Sequence, residues 1–89
     1  MRDVAQTAAF IKGLKRMSRR GHNLHKMHEA VFKLADGIPL PPRMKDHPLK
    51  GDWSGYRDCH LAPDWLLLYQ IDDDLLTLAA TGTHADLFD

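Results

Sequence analysis

The chain has 89 residues, of which 44% are hydrophobic, and its formal net charge at pH 7 is zero. A chain of this length builds one modest core, so we expect a single domain over residues 1–89. No apolar run approaches the roughly 18 residues of a membrane helix, and the first residues lack the apolar stretch of a cleavable signal. The single cysteine, Cys59, rules out an intrachain disulfide and favours a reducing cytoplasm.

The zero net charge hides a strong asymmetry along the chain. Residues 1–50 carry 11 Lys and Arg against 4 Asp and Glu, whereas residues 51–89 carry 1 against 8. A basic half indicates an anionic partner, such as nucleic acid or an acidic protein segment. The two halves could also neutralise each other within the fold, and a helix would still keep an outer face for a partner.

The first strongly patterned segment, residues 7–20, predicts an amphipathic helix. Thr7 suits the N-cap, and Phe10, Leu14 and Met17 form one apolar stripe. The rest of its surface is basic, and the basic residues near its end are favoured by the helix dipole. These basic residues are Lys12, Lys15, Arg16, Arg19 and Arg20.

A second helix is predicted shortly after Gly21, which suits the end of the first helix. Asn23 suits the second N-cap, and Asp36-Gly37 ends the apolar pattern. Two helices joined by so short a turn predict an antiparallel helical hairpin. The proline-rich segment that follows, residues 38–51, is predicted to be an irregular connection.

The second half of the chain predicts three strands, at residues 55–61, 65–71 and 75–81, separated by turns at 62–64 and 72–74. The middle strand is almost entirely apolar, as expected for a strand covered on both faces. Helix formers in the third segment leave a helix as its alternative. Two helices packed on one face of an antiparallel meander would give an α+β domain.

Three histidines lie outside the predicted helices, at positions that a meander could bring to one end of its sheet. His47 lies in the long connection, His60 ends a strand, and His84 follows the last strand, while Asp64 lies in the turn after His60. Histidines with a carboxylate supply a general acid and a general base near neutral pH. RNA cleavage by its own 2′-OH needs these groups and a cation that stabilises the phosphorus-centred charge, without a metal. Each histidine alone would more commonly be a surface or structural residue, so the prediction depends on their convergence.

Two other groups of residues are weaker candidates for chemistry. His22, His25 and His28 are spaced three apart, but no suitable carboxylate or cysteine completes a metal site beside them, so we expect solvated side chains. Cys59 should point to the opposite face from His60, which favours a buried small side chain over a nucleophile. We therefore expect neither a metal nor a cofactor.

A long motif covers residues 45–88 almost continuously. The sequence KDHPLKGDWSGYRDCHLAPDWLLLYQI, followed by LLTLAATGTHADLF, resembles the YafQ branch of the RelE/ParE toxin superfamily. The family pattern is roughly D-H-x-L-x-G-x-W-x-G-x-R-[DE]-x-H-x-x-P-D-W-[LI]-L-[LI]-Y, then R-T-G-[ST]-H-x-x-L-F. The resemblance implies the microbial-ribonuclease-like RelE fold, with a helical hairpin packed on a twisted antiparallel sheet whose edge strand is residues 1–5.

The same resemblance implies a function. Such proteins are the toxin half of a type II toxin–antitoxin pair and act in the cytoplasm as ribosome-dependent endoribonucleases that cleave mRNA. The implied partner is an antitoxin with a ribbon-helix-helix domain, and operator DNA would be bound only through that complex. The alternative is a non-nucleolytic member, either a gyrase-directed ParE-like toxin or an inactive antitoxin-binding protein. ParE-like chains lack the clustered histidines, which argues against this alternative.

Catalytic roles follow from the resemblance position by position. His84 would be the general acid toward the 5′ oxygen. His47 or Asp64 would activate the 2′-OH, and His60 would orient the reacting groups or share that role.

Substrate-binding roles are implied in the same way. Trp65 and Phe88 would hold the bases, and Arg57 would contact a phosphate. The basic residues of the first helix, Lys12, Lys15, Arg16, Arg19 and Arg20, would bind ribosomal RNA through its phosphates, without sequence readout.

One position departs from the family pattern. Ala80 stands where the family has an arginine before T-G-[ST]-H, and that arginine would supply a cation to the transition state. Losing one such group typically slows a reaction by about 10²–10³-fold. The chain would then be either a weakened toxin or a natural variant in which Arg57 or a basic residue near the loop replaces the missing charge.

Overall fold

The computed structural model describes all 89 residues and contains one five-stranded sheet and three helices. In chain order the elements are β1 (Asp3–Gln6), α1 (Ala8–Arg19), α2 (Leu24–Ala35), β2 (His47–Pro48), β3 (Arg57–Ala62), β4 (Trp65–Asp72), β5 (Leu75–Gly82) and α3 (His84–Phe88). The strand order across the sheet is β1-β5-β4-β3-β2. None of the helices has the length and apolar character that crossing a membrane requires.

Local sequence signals account for the first two helices, whose predicted ends are confirmed. The Thr7 hydroxyl accepts a hydrogen bond from the backbone N–H of Phe10, and the Asn23 side chain accepts one from that of His25. Each bond satisfies an amide that the start of a helix leaves without an intrahelical partner. Helix α2 ends at Ala35, and Asp36 is its C-cap, as predicted.

Both helices of the hairpin pack on the same face of the sheet, called the helix face below. Phe10 and Met17 of α1 and Met27 of α2 lie in one core cluster with residues of β3, β4 and β5. Helix α1 approaches β5 so closely that a Cβ atom at Gly13 would overlap the backbone oxygen of Thr81. The absence of a side chain at this position therefore sets the distance between helix and sheet.

The predicted α+β class is confirmed, and the strand pairing adds detail. The three predicted strands of the second half are present with shifts of one or two residues at some ends, and the third is a strand rather than a helix. β2 to β5 pair in antiparallel fashion, but β1 pairs with β5 in parallel, so the sheet is mixed. The two-residue strand β2 and the helix α3 were not predicted from the sequence.

Strand register defines the opposite surface of the sheet, called the second face below. Asp58 pairs with Leu68, and Leu68 pairs with Ala80, so these three residues form one row across β3, β4 and β5. An irregularity of register follows at Tyr69, which pairs with Leu78 and leaves Ala79 as an extra residue in β5. The second face therefore carries the buried carboxyl of Asp58 and, two strands away, Ala80, which stands where the family pattern has an arginine.

Candidate active site

The structure brings the predicted acid–base residues to one end of the sheet. His47 lies in β2, His60 lies in β3, Asp64 lies in the turn between β3 and β4, and His84 is the first residue of α3. The rings of His60 and His84 have centroids 5.8 Å apart, and His84 Nδ1 is 2.9 Å from Asp64 Oδ1. Three regions distant in sequence thus meet, around His47, around His60 and Asp64, and around His84, as the meander predicted.

Asp64 fixes the orientation of His84. One carboxylate oxygen accepts the backbone N–H of His84 at 3.0 Å and lies 2.9 Å from its ring Nδ1. The backbone and side-chain hydrogen bonds from His84 lower the pKa of Asp64, so its carboxylate is ionised and can only accept. The proton between them therefore lies on Nδ1, which leaves Nε2 of His84 to face a substrate.

His47 is oriented by a backbone carbonyl. Its Nδ1 lies 2.7 Å from the backbone oxygen of Lys45 and 3.1 Å from Oδ1 of Asp58. A carbonyl oxygen can only accept, so Nδ1 must carry the proton. In the neutral ring, Nε2 of His47 is then an acceptor, which is the state that a general base requires.

Asp58 is a functional candidate that the sequence analysis did not single out. The residue is only 4% exposed, and its Oδ1 makes no hydrogen bond. Burial raises the pKa of Asp58, while the nearby imidazoles of His47, His60 and His84 oppose that rise. The carboxyl therefore lies near enough to all three rings to be influenced by their charge, and it is in contact with that of His47 at 3.1 Å. The available signal was strand alternation, since Asp58 and His60 are two residues apart and must share a face.

His60 is the most enclosed of the three imidazoles. Burial lowers its pKa, Asp58 opposes this effect, and the neighbouring charges of His84, Lys45 and His47 add to it. The neutral ring of His60 therefore predominates at pH 7. This state suits a hydrogen-bonding or base role rather than that of a proton donor.

Helix α3 is held at both its start and its side. Thr83 and Asp86 form a reciprocal capping box, and Arg20 at the end of α1 donates to Asp86 at 2.8 Å and 3.4 Å. Arg16 lies 3.9 Å from the same carboxylate. These bonds, led by that of Arg20, hold the pKa of Asp86 well below its usual range. Arg20 was predicted to bind ribosomal RNA, but it is paired with the helix that carries His84.

The position of Arg57 separates its guanidinium from the three imidazoles. Arg57 pairs in the sheet with Tyr69, which belongs to the core cluster on the helix face, and its Nε donates to Asp46 at 3.1 Å. Asp58 and His60 lie on the second face, so the strand separates the guanidinium from the imidazoles. Arg57 therefore does not replace the charge that Ala80 lacks.

Trp65 and Phe88 differ sharply in exposure. Trp65 is fully buried, its indole N–H donates to the hydroxyl of Thr81 at 2.9 Å, and His22 lies against its ring with centroids 4.9 Å apart. The expectation that Trp65 holds a base is therefore wrong for this conformation, and Trp65 anchors the core. Phe88 is 43% exposed, and its ring centroid is 6.2 Å from that of His84, so its ring is accessible to a base.

Among the remaining positions, His22 departs from the expectation of a solvated side chain, because it is half-buried against the ring of Trp65. Cys59 is fully buried, and burial raises its pKa to about 12, so its thiol is not a nucleophile at neutral pH. His25 and His28 are exposed on α2 with ring centroids 6.3 Å apart. No group of three or more His, Cys, Asp and Glu side chains has the arrangement of a metal site. Four basic residues of α1 are exposed as predicted: Lys12, Lys15, Arg16 and Arg19.

Taken together, a small α+β domain with three imidazoles and two carboxylates at one end of its sheet defines a protein equipped for acid–base chemistry. Comparison with known proteins agrees with this class. The profile of a family described as a bacterial toxin of type II toxin–antitoxin systems, YafQ, matches residues 2–89. The chain is 42% identical over 88 residues to the mRNA interferase toxin YafQ of Escherichia coli strain K12, covering 98% of this chain and 96% of that protein.

Solved structures give the same result. YafQ from E. coli strain BL21(DE3) superposes with a TM-score of 0.93 at 40% identity, and both chains are covered completely. The toxin chain of the E. coli DinJ–YafQ complex gives a TM-score of 0.92 at 41% identity, again with complete coverage. The chain belongs to the YafQ family of toxins of bacterial type II toxin–antitoxin systems.

Proposed function

We propose that this chain is the toxin of a type II toxin–antitoxin pair and a ribosome-dependent endoribonuclease that cleaves mRNA. Its relative in E. coli is named an mRNA interferase. The observation that carries the proposal is the state of two imidazoles: His47 and His84 each have Nδ1 bound to an oxygen, which leaves both Nε2 atoms for a substrate. One such ring can accept a proton and the other can donate one.

In the proposed reaction, Nε2 of His47 takes the proton of the 2′-OH as its oxygen attacks the adjacent phosphorus. The bond from phosphorus to the 5′ oxygen breaks, and protonated His84 gives its proton to that leaving oxygen. The products are a 2′,3′-cyclic phosphate and a free 5′-OH, so no metal, water or cofactor is consumed in this step. Asp64 would keep His84 in place, and His60 would hydrogen-bond a phosphate oxygen or share the base role.

We further propose that Ala80 weakens this activity. Neither Ala80 nor Arg57 presents a cation to the second face, so the charge that develops on the phosphate oxygens has less stabilisation than in the family pattern. A residue at position 80 lies in the same row as Asp58 but two strands away, which is about 10 Å. An extended arginine would point its guanidinium toward the imidazoles across that distance.

The proposed partners are the ribosome, its bound mRNA and an antitoxin. Solved complexes of the relative YafQ with DinJ support the antitoxin, for which we propose a ribbon-helix-helix domain that binds operator DNA on behalf of the complex. The exposed basic residues of α1 would bind ribosomal RNA. They are Lys12, Lys15, Arg16 and Arg19. Since ribosomes are the target, the proposed site of action is the cytoplasm.

Primer extension on ribosome-bound mRNA tests the proposal. The parent chain should produce discrete cleavage sites, and His84→Gln should reduce the rate by about 10²–10⁴-fold because one proton transfer is lost. His25→Gln is the matched control, since His25 is an exposed imidazole on α2 outside the site. Intact messages with the parent chain and with Ala80→Arg would instead support the non-nucleolytic alternative.

A further inference from the structure

A basic pocket adjoins the constellation described above and shares only His60 with it. Its volume is about 490 Å³, and its charged lining consists of Lys26 from α2 together with Arg43 and Lys45 from the connection before β2. Residues 61–63, at the turn between β3 and β4, form its less polar wall. No carboxylate lines the pocket, so its field is strongly positive.

The charges of this pocket are largely uncompensated. Neither Lys26 nor Lys45 has a carboxylate within 4.0 Å, and Arg43 lies 4.0 Å from Glu29, whose nearer partner is Lys33 at 3.1 Å. By contrast, Arg20 and Arg57 are closely paired with carboxylates, at 2.8 Å to Asp86 and 3.1 Å to Asp46. A group of cations left without anions in a concave site is suited to an anionic ligand.

Lys45 connects the pocket to the imidazoles. Its backbone adopts the left-handed conformation, with φ of 48°, which is uncommon for a residue with a side chain. In this conformation its carbonyl accepts the Nδ1 proton of His47 at 2.7 Å, while its side chain lines the pocket with His60. One residue thus contributes to both the orientation of the base and the charge beside it.

We propose that this pocket is a phosphate subsite, which binds a phosphodiester of the RNA strand next to the one that is cleaved. The proposal rests on the proposed function and specifies how the substrate strand continues beyond the imidazoles. Lysine and arginine bind phosphate oxygens through charge-assisted hydrogen bonds. The subsite holds a phosphate that does not react, so it contributes the same binding energy in the ground state and in the transition state.

A bound phosphate would also act on His60. Burial and the charges of His84, Lys45 and His47 lower its pKa, whereas the charge of Asp58 raises it. An anion in the pocket would offset the charge of Lys45 and raise the pKa of His60. This response can be followed by NMR without any catalytic turnover.

The experiment uses the full chain and a short single-stranded RNA carrying 2′-O-methyl groups, which cannot be cleaved. Fluorescence anisotropy over a range of salt concentrations gives the slope of log affinity against log salt. Lys26→Gln, Arg43→Gln and Lys45→Gln should each reduce that slope by about 0.7, the value for one lost phosphate contact on a single strand. Lys50→Gln is the control with the same charge change at an exposed lysine that does not line the pocket, and its slope should equal that of the parent.

Inorganic phosphate serves as a second probe. If it raises the pKa of His60 but the RNA slopes are unchanged in all three pocket variants, the assignment to an RNA strand is overturned. Equal slope changes in Lys50→Gln and the pocket variants would overturn it as well, because they would indicate a diffuse charge effect.

Cleavage on ribosomes separates this inference from the proposed function. Lys26→Gln and Arg43→Gln should raise KM severalfold and leave kcat unchanged, as expected for uniform binding. If these variants keep the activity of the parent with an unaltered KM, the phosphate subsite is overturned and the proposed function is not. A parent chain that does not cleave would overturn the proposed function, and the RNA-binding slopes would still decide the subsite.

Discussion

Neutralising Asp58 should slow cleavage without weakening the fold. When His47 takes the 2′-OH proton it becomes an imidazolium, whose Nδ1 lies 3.1 Å from the Asp58 carboxylate. His47 is half exposed, so the dielectric of bulk water gives a lower bound of about 1.3 kcal/mol for the attraction over this 3.1 Å. Asp58→Asn keeps the side-chain shape and removes this attraction, so cleavage should slow by about tenfold or more.

The same substitution should preserve thermal stability. Burial raises the pKa of Asp58, which means that folding disfavours its ionised form. That penalty is present at pH values above the folded pKa and disappears as the pH falls through the folded pKa toward the unfolded value. Asp58→Asn removes the penalty, so at pH 7 its Tm should equal or exceed that of the parent.

Single-turnover cleavage of ribosome-bound mRNA, combined with thermal unfolding, checks both expectations. Asp73→Asn, in the hairpin turn at the opposite end of the sheet, is the control with the same change of charge. If Asp58 acts mainly through His47, the double variant Asp58→Asn/His47→Gln should be little slower than His47→Gln alone. Fully additive losses, or a fall in Tm that parallels the loss of rate, would refute this reasoning.

Three further substitutions test other parts of the account. Ala80→Arg should raise cleavage in primer extension by up to about 10²–10³-fold by supplying the missing cation, and unchanged cleavage would show that Ala80 does not limit the rate. Asp86→Asn should loosen α3 and lower kcat. The variant should be less stable than the parent by a constant amount above pH 3.8, and this difference should vanish as the pH falls through the depressed pKa of Asp86. Acid-unfolding curves that run parallel for the variant and the parent would contradict this. Trp65→Phe removes a hydrogen bond worth about 1 kcal/mol, so Tm should fall by about 4–8 °C with KM unchanged, whereas a raised KM at unchanged Tm would restore Trp65 to a base-binding role.

Local signals in the sequence predicted the elements whose ends depend on local bonds. Thr7 and Asn23 cap the two helices because each side chain reaches an amide within three residues. Helix α3 carries a comparable signal, the capping box of Thr83 and Asp86, from which no helix was predicted. A short helix of five residues offers too little periodicity to be predicted from its apolar pattern.

Long-range pairing explains what the sequence analysis could not predict about the sheet. The strand β2 has two residues and exists because His47 and Pro48 pair with β3, which no local pattern encodes. The parallel direction of β1 is likewise determined by its place beside β5 after the helical hairpin crosses the sheet. Both features depend on contacts between segments far apart in the chain.

For the site, the residues that take part were predicted better than the contacts that each of them makes. The convergence of the histidines and Asp64 followed from the meander, and the geometry agrees with it. Strand alternation alone could have placed Arg57 on the opposite face from His60 and placed Asp58 on the same face. The burial of Trp65 could not be predicted in this way, because it depends on how closely α1 and the turn at His22 cover the end of β4.

The chemical ends of the cleaved RNA test the central claim most directly. Attack by the 2′-OH, with proton transfers at His47 and His84, requires a 2′,3′-cyclic phosphate on one product and a 5′-OH on the other. Mass spectrometry of a message cleaved on ribosomes should show these ends, and a single 2′-deoxy nucleotide at the cleavage site should abolish the reaction. Products that end in a 3′-OH and a 5′-phosphate, or cleavage that persists at the 2′-deoxy site, would contradict the account.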